Sequence, residues 1–225
     1  MTQHVRSFAL RCIIALSCGA ASFGTQVTGR VTLVGRTTRA GTNVVVYAES
    51  LSDPHVAPKP GHYEWEQRNK TFVPHLLAIP VGSTVTFPND DPIFHNVFSL
   101  SRPQPFDLGL YRAGASKVRV FSEPGTYRIF CNIHPQMTGL LLVVPTSWIA
   151  ETDAGGGYKL DLPPGRYRLT AWSEHSEPAT AEIAVESAPV VAPPMALDDS
   201  KFVQIRHKNK YGQDYPAAAY DPNTR

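Results

Sequence analysis

Proline and glycine interrupt this chain so often that no segment beyond the N-terminal one keeps a helical apolar period for long. Twenty prolines and sixteen glycines fall among 225 residues. Proline removes a backbone donor and glycine supplies turns that other residues resist. What lies between them alternates. Leu77, Ile79 and Val81 lead to a Gly82-Ser83 turn, Val85 and Phe87 lead to Pro88-Asn89-Asp90-Asp91-Pro92, and Tyr127, Ile129 and Cys131 follow Glu123-Pro124-Gly125. A period of two places such side chains on one face of a half-buried strand, so the expectation is an all-β chain of short strands and many turns.

Further strands are expected over Gln26 to Leu33, Thr42 to Ala48, His95 to Leu100, around Val118 and Val120, and over Leu140 to Val144. After Pro145 come Tyr158 and Leu160, the Pro163-Pro164-Gly165 turn, Tyr167, Leu169 and Ala171, and a last strand at Ala181 to Val185. Residues 51 to 70, rich in Pro, His, Lys and Glu, read as a connection with at most one short strand. From 189 to 225 Pro, Ala and charge dominate without a sustained period, which predicts an extended or disordered tail.

Residues 1 to 24 differ from the rest. Arg6 and Arg11 precede an apolar run from Cys12 to Phe23 that ends among Ala20, Ala21, Ser22 and Gly24, the pattern of a cleaved secretory signal peptide. The run is shorter than the roughly 20 residues needed to span a bilayer, and no later segment is apolar enough to do so. A periplasmic or secreted protein follows. The alternative, a lipoprotein modified at Cys18, has its large aliphatic one place off the usual pattern in Ala15-Leu16-Ser17. Cleavage takes Lys+Arg from 21 to 19 against 19 Asp+Glu, and a neutral chain does not suggest a nucleic-acid partner.

Of three cysteines only Cys131 remains after cleavage, so an intrachain disulfide is excluded. A lone thiol is an oxidation liability in an oxidising compartment, and a ligand role would account for it. The bland alternative is a buried cysteine acting as a small hydrophobe. Its surroundings favour the ligand role. Cys131-Asn132-Ile133-His134-Pro135-Gln136-Met137 spaces a thiolate, an imidazole and a thioether by three residues each, and His95 lies upstream. Two His, one Cys and a weak axial Met form the donor set of electron-transfer copper sites. Zinc suits the S, N, N part, but thioether is a poor zinc ligand. Among the other histidines, His55, His62, His75 and His175 form no H-x-H pair and read as surface residues. Asp90-Asp91 and Asp198-Asp199 read as solvated acids in turns, and Gly155-Gly156-Gly157 lacks the context of a phosphate-binding loop.

Several motifs occur together in order: Phe72-x-Pro74, Gly82-Ser83-x-Val85-x-Phe87, Asn89-x-Asp91, His95-Asn96-Val97, Pro124-Gly125-x-Tyr127 and Cys131-x-x-His134-x-x-Met137. The stretch from about residue 63 to 145 resembles the cupredoxins, and its ligand-loop spacing resembles the amicyanin branch. The resemblance implies a Greek-key β-sandwich over residues 51–146 holding one mononuclear type 1 copper ion. His95, Cys131 and His134 would be equatorial ligands and Met137 the axial one. Asn96 would tie the ligand-bearing loops together and tune the sulfur. It also implies that electrons pass through the edge of His134, set in an apolar surface patch. Asn132 stands where multicopper oxidases place a His, which disfavours that class.

Gly29-Arg30-Val31, Val44 to Tyr47, Thr152 to Tyr158 and Leu162-Pro163-Pro164-Gly165-x-Tyr167-x-Leu169 resemble the carboxypeptidase regulatory-like, or transthyretin-like, β-sandwich. Neither half has enough strands for a core, so residues 25–50 and 147–188 are expected to form one small sandwich with the copper domain inserted; tandem domains are the rival. The function expected is a non-enzymatic carrier of single electrons between periplasmic redox proteins, with an amine dehydrogenase or a cytochrome as the implied partners. A copper-delivery protein is the first alternative, disfavoured because Met137 and Met195 are the only methionines left after cleavage. A non-redox binding or adhesion module is the second, disfavoured by the intact ligand set.

Overall fold

A computed structural model describes residues 24–35, 44–102, 104–203 and 207–216. Among them are eighteen strands and no helix, so the chain is all-β, and the signal-like segment lies outside the described residues. No helix among the described residues is long and apolar enough to cross a membrane.

One sandwich joins the two ends of the described chain. Strand β1 (Thr25–Val34) pairs antiparallel with β14 (Gly157–Leu162) and parallel with β17 (Val190–Val191) and β18 (Met195–Asp198). The facing sheet runs β13 (Ile149–Glu151), β2 (Val44–Ser50), β15 (Gly165–Ser173), β16 (Ala179–Val185). Val27, Val46, Leu160, Leu169 and Leu197 belong to the core between them. The expectation of a tail from residue 189 is therefore corrected at its start. Met195 and Leu197 point inward and Ala196 and Asp198 outward, but four residues behind Pro193-Pro194 are too few to show a period, and their partner β1 lies at the other end of the chain.

The segment between holds a second sandwich. One sheet runs β10 (Ser116–Phe121), β7 (Ser83–Pro88), β3 (His62–Glu64); the other runs β6 (Leu76–Pro80), β12 (Thr138–Val144), β11 (Gly125–Phe130), β8 (His95–Ser99), β9 (Phe106–Tyr111). Val85, Phe87, Tyr127, Ile129 and Leu141 share its core. The stretch expected to be mostly connection carries β3 and also β4 (Glu66–Arg68), which forms a hairpin with β5 (Thr71–Val73). Trp65 between β3 and β4 is fully buried and donates from Nε1 to Pro74 O at 2.6 Å. Three-residue strands are too short to register as alternation.

Strand β12 explains its own unbroken apolar run. Leu141 and Val143 face the core of the second sandwich, while Leu140, Leu142 and Val144 pack with Val45 and Leu76 in a separate cluster shared with the first. A strand buried on both faces needs no polar alternation. Gly139 belongs to the same fit: a Cβ there would lie 2.8 Å from Trp65 Cζ2 and 3.0 Å from Phe72 Cβ. Gly139→Ala is expected to cost about 1–3 kcal/mol by overpacking, read from urea unfolding.

A polar contact also joins the sandwiches. Glu174 accepts from His75 Nε2 at 2.9 Å and from Arg128 Nη1 at 3.3 Å. The hydrogen bond to Glu174 raises His75 above its ordinary 6.5 in spite of burial. Burial pushes Glu174 up, but His75, His175 and Arg128 outweigh it and leave the carboxyl below its ordinary 4.5. The His75 contribution to stability is complete below its unfolded pKa and is lost as pH rises through the higher folded value. The Glu174 contribution is present above its unfolded pKa and is lost as pH falls through the lower folded value. Between about pH 6 and about pH 9 the melting temperature is expected to fall more steeply for the unsubstituted protein than for His75→Gln. Equal slopes would remove this pair from the stability of the fold.

Candidate metal centre

Cys131 follows the last residue of β11, and Met137 precedes the first residue of β12. The loop between closes on its own backbone, with Cys131 N donating to Met137 O at 3.2 Å and Met137 N to His134 O at 2.9 Å. That closure turns the His134 ring back over the Cys131 side chain. His95 opens β8, which pairs with β11 through Phe98 and Phe130, so the neighbouring strand delivers its ring to the same point.

Three donor atoms converge there. His95 Nδ1 lies 3.1 Å from His134 Nδ1 and 3.8 Å from Cys131 Sγ, and His134 Nδ1 lies 3.5 Å from Cys131 Sγ. His95 and Cys131 are fully buried and His134 half-buried. Met137 is fully buried in the core cluster that includes Cys131. Among the described residues, His95, Cys131 and His134 form the one group of His, Cys, Asp or Glu donors gathered closely enough to hold a metal ion.

The electrostatics suit a cation. Burial, helped by His95 and Lys70, pushes His134 down to about 4, so its imidazole is neutral at ordinary pH. Burial raises the Cys131 thiol although the amides of Asn96, Ile133 and His134 pull the other way. Asp91 Oδ2 accepts from His95 Nε2 at 2.7 Å. An ionised carboxylate can only accept, so the ring proton sits on Nε2 and Nδ1 presents its lone pair to the cluster. Burial alone would raise the Asp91 carboxyl, but amides of Lys70 and Asn69 and the His95 ring bring it below the usual range.

Two acids expected in solvated turns are buried, Asp199 beside the end of β18 and, at the metal centre, Asp91. Asp91 accepts from Asn69 N at 2.6 Å and Lys70 N at 2.8 Å as well as from His95. Asn69 and Lys70 are both left-handed, with φ 55° and 56°, so the carboxylate fastens the β4–β5 turn to the His95 ring. Its place four residues before His95, within Asn89-x-Asp91, was the available signal. Asn96 also departs from expectation in part. Its backbone N approaches Cys131 Sγ at 3.5 Å, but its side chain donates from Nδ2 to Asp107 Oδ1 at 2.7 Å. Of the other histidines, His55 and His62 are exposed, His75 holds Glu174, and His175 lies against Phe202 with ring centroids 3.9 Å apart.

No protein-family model matches the chain, and no curated protein does. Solved structures do. A purple cupredoxin from Nitrosopumilus maritimus is 32% identical over 36% of this chain and 99% of its own, with a TM-score of 0.35. A reduced amicyanin variant is 25% identical over 36% of this chain and 80% of its own, at 0.34. A copper-containing nitrite reductase from Thermus scotoductus is 25% identical over 51% of this chain, which spans only 28% of the reductase, at 0.36.

Removing the Asp91 carboxylate strands three donors at once. Asp91→Ala is expected to cost about 3 kcal/mol. The His95 Nε2 proton should also lose its downfield hydrogen-bonded signal in the proton NMR spectrum, and its persistence would show that Asp91 does not hold the ring.

Proposed function

We propose that this chain is an exported cupredoxin-type protein that holds one copper ion and carries single electrons, without being an enzyme. The observation that carries the reading is the donor spacing of 3.1, 3.5 and 3.8 Å among His95 Nδ1, His134 Nδ1 and Cys131 Sγ. A first-row metal ion about 2 Å from each of three donors in one plane holds them about 3.5 Å apart. Without an ion such groups can share hydrogen bonds, and the same convergence offers a cation three donors at once. The two imidazoles and the thiolate would hold the ion, with Met137 as the weak fourth ligand, and this soft mixed set supports both Cu(II) and Cu(I).

The chain's own residues would keep that exchange cheap in rearrangement. Asp91 fixes the tautomer and tilt of His95, and the Asn96 amide points at the sulfur. His134 is the ligand closest to solvent, and the residues preceding the two histidines, Ile133 at 47% and Phe94 at 53%, are exposed and apolar. Such a surface suits brief docking of an exported redox partner, and the motif resemblance points to an amine dehydrogenase or a cytochrome. The sandwich formed by the chain ends resembles the transthyretin-like type in its motifs, and we assign it a spacing or docking role. A copper-delivery role would favour accessible methionines, whereas Met195 is buried in that sandwich.

The test is a titration of Cu(II) into metal-free protein, followed by visible absorption, electron paramagnetic resonance and proton release. The expected result is an intense thiolate-to-copper band that saturates at one equivalent, bleaches reversibly with a mild reductant and is absent in Cys131→Ser. Because Cys131 is held as a thiol and His134 as neutral imidazole, about one proton should be released per ion at neutral pH. Weak d–d absorption alone, or prompt oxidation of the thiol, would overturn the reading.

A further inference from the structure

The segment from His207 to Pro216 is built against the ligand loop. It has its own frame: Asn209 Oδ1 accepts from Tyr211 N at 2.9 Å and Gln213 N at 3.0 Å, Asn209 N donates to Gln213 O at 2.8 Å, and Gly212 N donates to Asn209 O at 2.9 Å. The last bond closes a turn in which Gly212 has φ 76°, a conformation that glycine adopts without strain.

From that frame side chains and one backbone amide reach successive points on the loop. The His207 ring stacks on Phe130, centroids 4.0 Å apart and planes 17° apart, and its Nε2 donates to Pro135 O at 2.6 Å. Lys210 N donates to Asn132 Oδ1 at 3.0 Å. The Tyr215 hydroxyl reaches Asn132 O at 3.3 Å and Cys131 O at 3.5 Å, and its ring meets His207 edge-on at 5.3 Å. These contacts occupy carbonyls that the loop's own turn leaves free. Lys210 also acts at longer range. Its Nζ donates to Asp107 Oδ2 at 2.7 Å, Asp107 Oδ1 accepts from Asn96 Nδ2 at 2.7 Å, and Asn96 N approaches Cys131 Sγ at 3.5 Å.

We propose that His207–Pro216 is a clasp that holds the ligand loop in its closed form before any metal binds. Lys210 is a positioning residue that acts on the Cys131 sulfur through Asp107 and Asn96. The inference rests on the metal-centre reading for its effect on copper, but not for its effect on the loop. A loop closed in advance spends less binding energy on ordering when the ion arrives. The Lys210 ammonium offsets the Asp107 carboxylate that Asn96 holds, and with the oriented Asn96 amide at the sulfur this favours the extra electron of the reduced centre.

The experiment uses the whole protein with His207→Ala, Lys210→Met and Tyr215→Phe, singly and combined, and Lys210→Arg. In metal-free protein, amide hydrogen exchange at residues 133, 134 and 137 is expected to accelerate about tenfold in the combined variant. Exchange within β14 and β15 should stay unchanged, which certifies the fold. Unchanged exchange in the loop would overturn the clasp. In copper-loaded protein, Lys210→Met should lower the reduction potential and Lys210→Arg should restore it. A potential that ignores Lys210→Met would overturn the Lys210 arm. If the unsubstituted protein gives no thiolate-to-copper band, the copper reading falls while the exchange result still decides the clasp.

Discussion

The Asp91 carboxylate accepts from donors on two separate segments, and the rest of the metal centre depends on that convergence. Oδ1 takes the Asn69 amide, while Oδ2 takes the Lys70 amide and the His95 ring. A buried charge is tolerated only when its lone pairs are filled, and here the filled positions anchor two different elements, the β4–β5 turn and β8. The left-handed pair at Asn69-Lys70 turns the β4–β5 hairpin, the hairpin stands beside Trp65 and Phe72, and these two rings leave room at Gly139 for no side chain larger than hydrogen. Gly139 lies two residues beyond Met137. The carboxylate that aims His95 thus belongs to the same packed unit as the strand that receives the far end of the ligand loop.

Much of this was legible locally. Alternation identified β6, β7 and β11, and the double burial of β12 appeared as an unbroken apolar run. The spacing of Cys131 and His134 was readable because loop geometry brings residues three apart into reach, and His95 because a second imidazole is what such a pair lacks. Asp91 was not, because a turn acid looks the same in sequence whether solvated or buried. What separates the two states is the supply of donors, and here the Asn69-Lys70 turn and His95 come from different elements. The same reason hid β17 and β18, whose pairing with β1 spans nearly the whole chain, and the contacts of His207, Lys210 and Tyr215 with the ligand loop. Polar contacts made over long sequence separations leave no period behind.

The two sandwiches are coupled by more than their connecting chain. Leu140, Leu142 and Val144 of β12 pack with Val45 of β2, and Glu174 joins His75 and Arg128 beside them. Since β12 leaves the ligand loop directly, the sandwich built from the chain ends bears on the back of the strand that fixes Met137. A role for it in holding the centre needs no site of its own; apolar packing against β12 is enough.

Electron exchange at a metal is fastest when the ligands move least, and each side of this loop is restrained by a different kind of interaction. Its start is held by the β11 ladder, its finish by the packing around β12, and its middle by the turn bond from Met137 N to His134 O. The carbonyls of Cys131, Asn132 and Pro135 take no part in those turn bonds, and His207 and Tyr215 approach them. Backbone carbonyls left to water would permit the loop to breathe, because water exchanges one partner for another at little cost. Replacing it with side chains that are themselves fixed by an Asn209-centred turn removes that freedom. The donors can then stay close together, which is the condition under which a soft ion binds without having to fold its site.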